Sequence, residues 1–253
     1  MIMEFKNKLP MKNHLNTIFI ALAIVLSALL FSNAFKSKNK TRNTISVTGL
    51  GSRDFISDLI VWNGSFSKKN MNLKDAYAEL DKDRDEIKKY LVSKGLKSES
   101  IVFSAVEIDK DFETIFDNNG NKTKSVFSGY DLKQDVQIES HEVDKVENVS
   151  RQVSELINSG VEFYSDKPQY YYTKLAELKI EMIAEATKDA NIRAEKIAKN
   201  ANSDLGQLKD AEMGVFQIVA QNSSEGYSWG GAFNTTSKRK TATITVKLEY
   251  EVK

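Results

Sequence analysis

The last segment of the chain is the feature that most constrains its fold. From Thr241 to Lys253 the sequence TATITVKLEYEVK alternates between two kinds of side chain. Apolar residues at the even-numbered positions from Ala242 to Val252 face one way, while threonine, lysine and glutamate face the other. Such alternation is typical of an antiparallel strand with one buried face. The chain must therefore build a sheet and supply something that covers it.

Three amphipathic segments are predicted to be the helices that cover the sheet. The first spans roughly residues 72–94, with Asn70 or Asn72 as its cap, and the second runs from about residue 144 to 159. The third runs from about 168 to 202 and carries small side chains on one face. Alanines stand there at every fourth position from 186 to 198, which lets a helix lie close to a neighbouring element.

Two local signals refine these helix predictions. Asp144 and Glu147 have the spacing of a capping box at the start of the second helix. Pro168 occupies a favourable first-turn position for the third helix. Gly95 and Gly160 follow the first and second helices, where glycine commonly ends a helix.

Strand patterns lie between the helices and set the fold class. They are TISVTGLG, FISDLIVWNGSFS, ESIVFSAVEID, SGYDLKQDVQIES, VEFYS and EMGVFQIVAQ. The intervening DNNGNK (Asp117–Lys122) contains residues that tolerate positive φ and predicts a long hairpin. The order ββα, ββα, βα, ββ predicts an α+β fold, in which amphipathic helices pack on one face of an antiparallel or mixed β-sheet.

The N-terminus divides into a basic region (1–14), an apolar run (15–35) and a polar linker (36–43), followed by the α+β domain (44–253). The run from Leu15 to Phe35 has the length of a bilayer-crossing helix. Ser32 and Ala34 also suit signal cleavage before Phe35. We expect a transmembrane anchor or a cleaved signal peptide, with a slight preference for the anchor. Three bases precede the run and four follow it, so flanking charge does not decide the orientation.

Charge and cysteine content exclude several function classes. Of 36 basic and 35 acidic residues, seven bases and one acid precede residue 44, which leaves 29 bases and 34 acids and a net charge of −5. A mildly acidic domain lacks the basic footprint of nucleic-acid binding. Because the chain contains no cysteine, disulfides, thiolate nucleophiles and cysteine metal sites are excluded.

The segment GYSWG (Gly226–Gly230) fits the G-x-S-x-G pattern of hydrolases with a nucleophilic serine. That motif needs a strand directly before Ser228, a helix directly after it and a downstream histidine. Neither flank fits, and the two histidines, His14 and His141, both precede it. The segment is better interpreted as a glycine- and serine-rich connection between strands.

Large aromatic side chains are the more informative feature of that connection. Tyr227, Trp229 and Phe233 stand close together within residues 223–237. Such side chains either fold back onto the domain or form a contact surface for another molecule. We name these three residues as the candidate interaction surface and keep both alternatives open.

Three further motifs do not support a cofactor or metal site. TGLGSRD (48–54) lacks the third glycine of a phosphate loop, so its glycines are predicted to mark a strand end or bulge. DKDRDE (81–86) lacks the glycine and glutamate that a calcium loop requires, and we predict a solvated helix face. His141 has no partner histidine or cysteine. We therefore predict no catalytic, cofactor-binding or metal-binding residues.

Several segments together resemble the SIMPL-domain family of bacterial envelope proteins. ISVTGLGSRDFISDLIVWNGSFS is similar to that family's first hairpin, and SGYDLKQDVQIE to a later strand. The alanine-rich EATKDANIRAEKIAKNANSDLGQL is similar to its most distinctive helix, which ends in Leu-Gly. VFSAVE (102–107) departs from the family pattern, which often has a threonine there. The resemblance spans about residues 44–253.

The resemblance implies an exported α+β domain with no established catalytic residues, in a family where some members assemble into oligomers and are linked to envelope or oxidative stress. Our leading expectation is a non-enzymatic envelope protein, periplasmic or otherwise extracytoplasmic, that is membrane-anchored through its N-terminal segment or secreted. It would act as a homo-oligomer or with a protein partner. A periplasmic small-ligand or peptide-binding module is the alternative, and a serine hydrolase the third.

Overall fold

The computed structural model describes residues 11–38, 43–224 and 228–252, and within the first helix it describes the side chains of residues 18–32. The four α-helices of this part of the chain are α1 (Met11–Lys38), α2 (Leu73–Ser93), α3 (Val143–Gln152) and α4 (Leu175–Asn200). The first strands are β1 (Thr44–Ile56), β2 (Leu59–Asn70), β3 (Ile101–Phe103), β4 (Glu107–Phe116) and β5 (Lys122–Ser140). The remaining strands are β6 (Phe163–Ser165), β7 (Gln169–Tyr171), β8 (Leu205–Met213), β9 (Gln217–Ala220) and β10 (Arg239–Val252).

The strands form two antiparallel sheets, each with its own hydrophobic core. In the terminal unit, β1, β10 and β8 lie side by side, β9 also pairs with β10, and α4 covers the sheet. In the central unit the order is β3-β5-β2-β6, β4 and β7 pair with β5 and β2, and α2 and α3 provide the cover. The predicted α+β class and antiparallel pairing are confirmed. The division of the strands between two sheets was not visible in the sequence pattern.

Two glycines let α4 lie directly on β1 in the terminal unit. A Cβ atom at Gly49 would stand 2.1 Å from the Ala186 carbonyl oxygen and 2.4 Å from the Ala190 nitrogen. At Gly51 it would stand 2.4 Å from the Met182 carbonyl oxygen. All the alanines of the predicted face are buried, and Ala186 and Ala190 meet the strand glycines. The prediction that these glycines mark a strand end or bulge is wrong, because both lie in regular register inside β1.

Polar contacts fasten the same helix to the same strand. The Leu50 backbone N–H donates to the Asp189 carboxylate at 2.9 Å, and Arg53 pairs with Glu181. The first of these bonds, followed by one from Arg193, holds the pKa of Asp189 below its ordinary value. The glycine-rich strand and the alanine-rich helix thus form one packed element pair.

The core of the central unit is built around Trp62 in β2. Its side chain is fully buried, and its indole N–H donates to the Ser165 Oγ at 3.0 Å. The Phe163 ring lies edge-on to Trp62 with centroids 6.0 Å apart. It also occupies the space above Gly64, where a Cβ would stand 2.1 Å from its nearest atom. The packing of one small and two aromatic residues fixes β6 against β2.

Several predicted boundaries are confirmed. Asn72 caps α2 by accepting from the Lys74 N–H at 2.9 Å. Gly95 and Gly160 adopt φ values of 85° and 78° after their helices. The predicted hairpin is present, since the Asp117 carboxylate accepts N–H bonds from residues 119 and 121 between β4 and β5.

Other boundaries differ from the prediction. Glu142, and not Asp144, precedes α3, which gives way to a 3-10 helix over Val153–Ser159. The third predicted helix begins at Leu175, because residues 169–171 instead form β7 against β2. The predicted strand EMGVFQIVAQ divides into the end of β8 and the whole of β9. The local sequence pattern predicted that these segments exist, whereas their pairing with other strands determines where each one begins and ends.

Helix α1 precedes the terminal unit. Every side chain from residue 18 to residue 32 is exposed, including Phe19, Leu30 and Phe31. Within the residues that the structure describes, no helix combines the length and the apolar character needed to cross a membrane.

Candidate contact surface

The candidate interaction surface lies in the connection between β9 and β10. Trp229 and Phe233 lie in its described part, whereas Tyr227 lies outside the described residues. Residues 228–231 form a turn in which the Gly231 N–H donates to the Ser228 carbonyl at 3.0 Å. Gly231 has a φ of 90°, a conformation that favours glycine. The turn is therefore locally specified by its sequence.

Buried Gln217, the first residue of β9, clamps this turn from below. Its Nε2 donates to the Ser228 carbonyl at 2.7 Å. Its Oε1 accepts from the backbone N–H groups of Ser228 and Ala232 at 3.3 and 3.1 Å. One side chain thus satisfies three backbone groups of the turn, which holds it against the terminal sheet.

The segment after the turn runs beside β9 and is fixed to it. The Ile218 N–H donates to the Ala232 carbonyl at 2.7 Å, and the Asn234 N–H donates to the Ile218 carbonyl at 2.9 Å. These bonds place Phe233 opposite Ile218 in a parallel bridge. The backbone that carries both aromatic residues is thus held by hydrogen bonds on each side of the turn.

The aromatic side chains on this backbone remain open to solvent. Trp229 is 89% exposed and Phe233 is 53% exposed. Both figures leave large apolar surfaces available for contact, and such surfaces are common at protein interfaces. That these residues form a contact surface stays a prediction.

Ser228 lacks the surroundings of a hydrolase nucleophile in the part of the chain that the structure describes. Its backbone N–H and carbonyl are both engaged by Gln217, and no helix follows the turn before β10. His141 lies at the end of β5, where its Nδ1 is 2.8 Å from the Asp58 carbonyl oxygen. A carbonyl only accepts, so Nδ1 carries the hydrogen. The geometry gives Ser228 a structural role in the turn.

The acidic helix segment DKDRDE proves to be partly structural. Asp81 pairs with Arg84 at 2.5 Å on the exposed side of α2. Asp83 is buried and pairs with Lys68 of β2 at 2.9 Å, so the prediction of a wholly solvated face is wrong at this residue. Among the described residues, no group of three acidic or histidine side chains is arranged to hold a metal ion.

A polar junction between the two units is the site that sequence reasoning missed. Lys240 of β10 is 1% exposed, and its Nζ donates to the Tyr170 carbonyl of β7 at 2.5 Å. The signal was present in the sequence, because Lys240 continues the even-numbered buried face that begins at Ala242. A lysine at an inward position of a strand needs a structural explanation.

A known family model matches the sequence that forms this architecture. The SIMPL family model, described as a protein of unknown function (DUF541), matches residues 45–250. The match begins in β1 and ends in β10, so it contains both units and the junction between them. The search of curated proteins finds no match.

Proposed function

Since the chain belongs to the SIMPL family, we propose that it is a non-enzymatic protein that works by contact with other protein chains, and first of all with copies of itself. The observation that carries this proposal is the clamped turn with its exposed Trp229. A catalytic role has no comparable support, because the backbone groups of Ser228 are bonded to Gln217 and help to hold the turn.

The turn has the physical properties of an interface anchor. Tryptophan supplies a large contact area and is enriched among the residues that dominate binding energy. Because Gln217 already fixes the backbone, little conformational entropy remains to be lost there when a partner docks. An exposed aromatic residue on an ordered turn therefore favours association more than the same residue on a loose one.

We expect the double substitution Trp229→Ala and Phe233→Ala to shift assembly towards the monomer. Loss of two aromatic anchors should weaken association at least about 30-fold, since a single interface anchor of this kind contributes about 2 kcal/mol or more and each 1.4 kcal/mol is about tenfold. Light scattering of the full-length chain at tens of micromolar measures the assembled fraction. The fold should be retained, because both side chains are largely exposed.

The matched control removes equally exposed apolar side chains elsewhere. Ile180 on α4 and Ile157 in the 3-10 helix are 70% and 68% exposed. The double substitution Ile180→Ala and Ile157→Ala should leave assembly unchanged. A wild-type chain that is strictly monomeric at these concentrations, or equal effects of both double variants, would contradict the proposal.

We also propose that the chain acts outside the cytoplasm, in the cell envelope. The support is the basic segment followed by an apolar run at residues 1–35 and the exposed side chains of residues 18–32. The expected result is that protease added to spheroplasts degrades the domain while a cytoplasmic marker survives. Protection of the domain until the cells are lysed would refute export.

A further inference from the structure

The two units are joined by few crossings of the chain. The backbone leaves the terminal unit after β1, builds the whole central unit, and returns between β7 and α4. Each unit has its own sheet and its own cluster of buried apolar side chains. What happens at the junction therefore decides how firmly the two units hold together.

Hydrogen bonds dominate the junction. The Asp58 N–H donates to the Tyr171 carbonyl at 3.0 Å, which ties the two crossings to each other. The Asp58 carboxylate accepts from the Thr173 N–H and Oγ1 at 2.8 and 2.7 Å. The Ser57 N–H donates to the Lys238 carbonyl at 2.9 Å. The one ring contact at these crossings joins Phe55 and Tyr172 at 4.8 Å.

Lys240 and Tyr170 connect the units across the middle of this junction. Tyr170 pairs with β2 of the central unit, and its N–H donates to the Thr235 carbonyl of the terminal unit at 2.7 Å. Its carbonyl accepts from Lys240 Nζ. Tyr170 therefore donates one backbone hydrogen bond to the terminal unit and accepts another from it. The donor of the second bond is the buried amine of Lys240.

Several charged groups near Lys240 are engaged with other partners. Lys238, which directly precedes β10, pairs with Asp144 and Glu147 of α3, the latter at 3.0 Å. On the neighbouring elements, the Asp54 carboxylate of β1 accepts from Thr241 and Gln221, and the Asp58 carboxylate accepts from Thr173. The Tyr170 hydroxyl faces Glu147, Lys238 and Arg151. The electrostatics of Lys240 are therefore set by burial and not by a counter-ion.

We infer that Lys240 is a pH-sensitive latch between the two units, and that the junction tightens when its ammonium group loses a proton. A buried ammonium without a counter-ion is disfavoured relative to a hydrated one, whereas a neutral amine can still donate to the Tyr170 carbonyl. Opening the junction hydrates the amine. Protonation therefore favours the open junction, and deprotonation favours the closed one.

The direction of the effect follows from proton linkage. Burial lowers the pKa of Lys240 to about 8 from its ordinary 10.5. The closed junction thus binds the proton less tightly than the open one, and closure gains from rising pH between about 8 and 10.5. With the ordinary pKa in the open state, linkage gives a change of about 30-fold in the open-to-closed ratio between pH 7 and 9.5.

Hydrogen exchange on the full-length chain tests the latch. The reporters are the backbone N–H groups of Ser57, Asp58 and Tyr170, which bridge the crossings or the units. After correction for intrinsic exchange, their protection should rise about 30-fold from pH 7 to 9.5, relative to amides within each core. In the Lys240→Met variant, protection should be high and should not change with pH.

The matched control is Lys247→Met, which removes an exposed lysine from the same strand. It should behave as the wild type does. Nitrogen-15 titration of the wild-type lysine side chains gives a measurement that needs no variant to fold. A Lys240 amine that titrates near 10.5, or junction protection with the same pH dependence in the Lys240→Met and wild-type chains, would overturn the inference.

Discussion

The substitution Gly49→Ala is expected to destabilise the terminal unit by at least about 3 kcal/mol, near the upper end of the cost of overpacking. The added methyl group would stand 2.1 Å from a backbone oxygen and 2.4 Å from a backbone nitrogen of α4. Backbone atoms cannot rotate away as a flexible side chain can, so the helix must move off the strand. Movement of α4 would also break the hydrogen bond that the Leu50 N–H donates to the Asp189 carboxylate.

Thermal unfolding followed by circular dichroism measures the effect, with an expected fall of about 6–12 °C for a domain of this size. Gly230→Ala is the matched control. Among the described residues, and apart from its two chain neighbours, no atom lies within 4 Å of a Cβ built there, and its effect should stay within about 0.5 kcal/mol. A Gly49→Ala chain as stable as the Gly230→Ala chain would show that α4 does not lie on β1 as described.

Much of the fold could be predicted because local patterns and tertiary contacts agree. The alternation in β10 reports a buried face directly, and Val246 and Leu248 are buried as that pattern requires. The alanine face of α4 reports a close neighbour, but its partner could not be named. Identifying it requires the pairing of Gly49 with the helix, which lie about 140 residues apart in the sequence.

The parts that escaped prediction depend on contacts between distant segments. Residues 169–171 look like the start of a helix, yet they become β7 because β2 offers a free edge. Gln217 looks like an ordinary polar residue in a strand, and its role as a clamp appears only when the turn at Ser228 lies above it. The aromatic residues of the candidate surface could be named from sequence, since large aromatic side chains in a glycine- and serine-rich connection are unusual by themselves.

The substitution Trp62→Ala is expected to destabilise the central unit by about 3–5 kcal/mol. The residue is fully buried, so its removal leaves a large cavity. It also leaves the Ser165 Oγ without the indole donor and Phe163 without its edge contact, which loosens β6 from β2. Urea denaturation followed by far-ultraviolet circular dichroism measures the loss.

The chain supplies its own control, because Trp229 is the only other tryptophan and is 89% exposed. Trp229→Ala is the same chemical change, and it should alter stability by no more than about 0.5 kcal/mol. The pair of variants therefore separates a tryptophan buried in a core from one that is largely exposed. If Trp229→Ala proved as destabilising as Trp62→Ala, Trp229 would belong to the domain core, and the proposed contact surface would have to be abandoned.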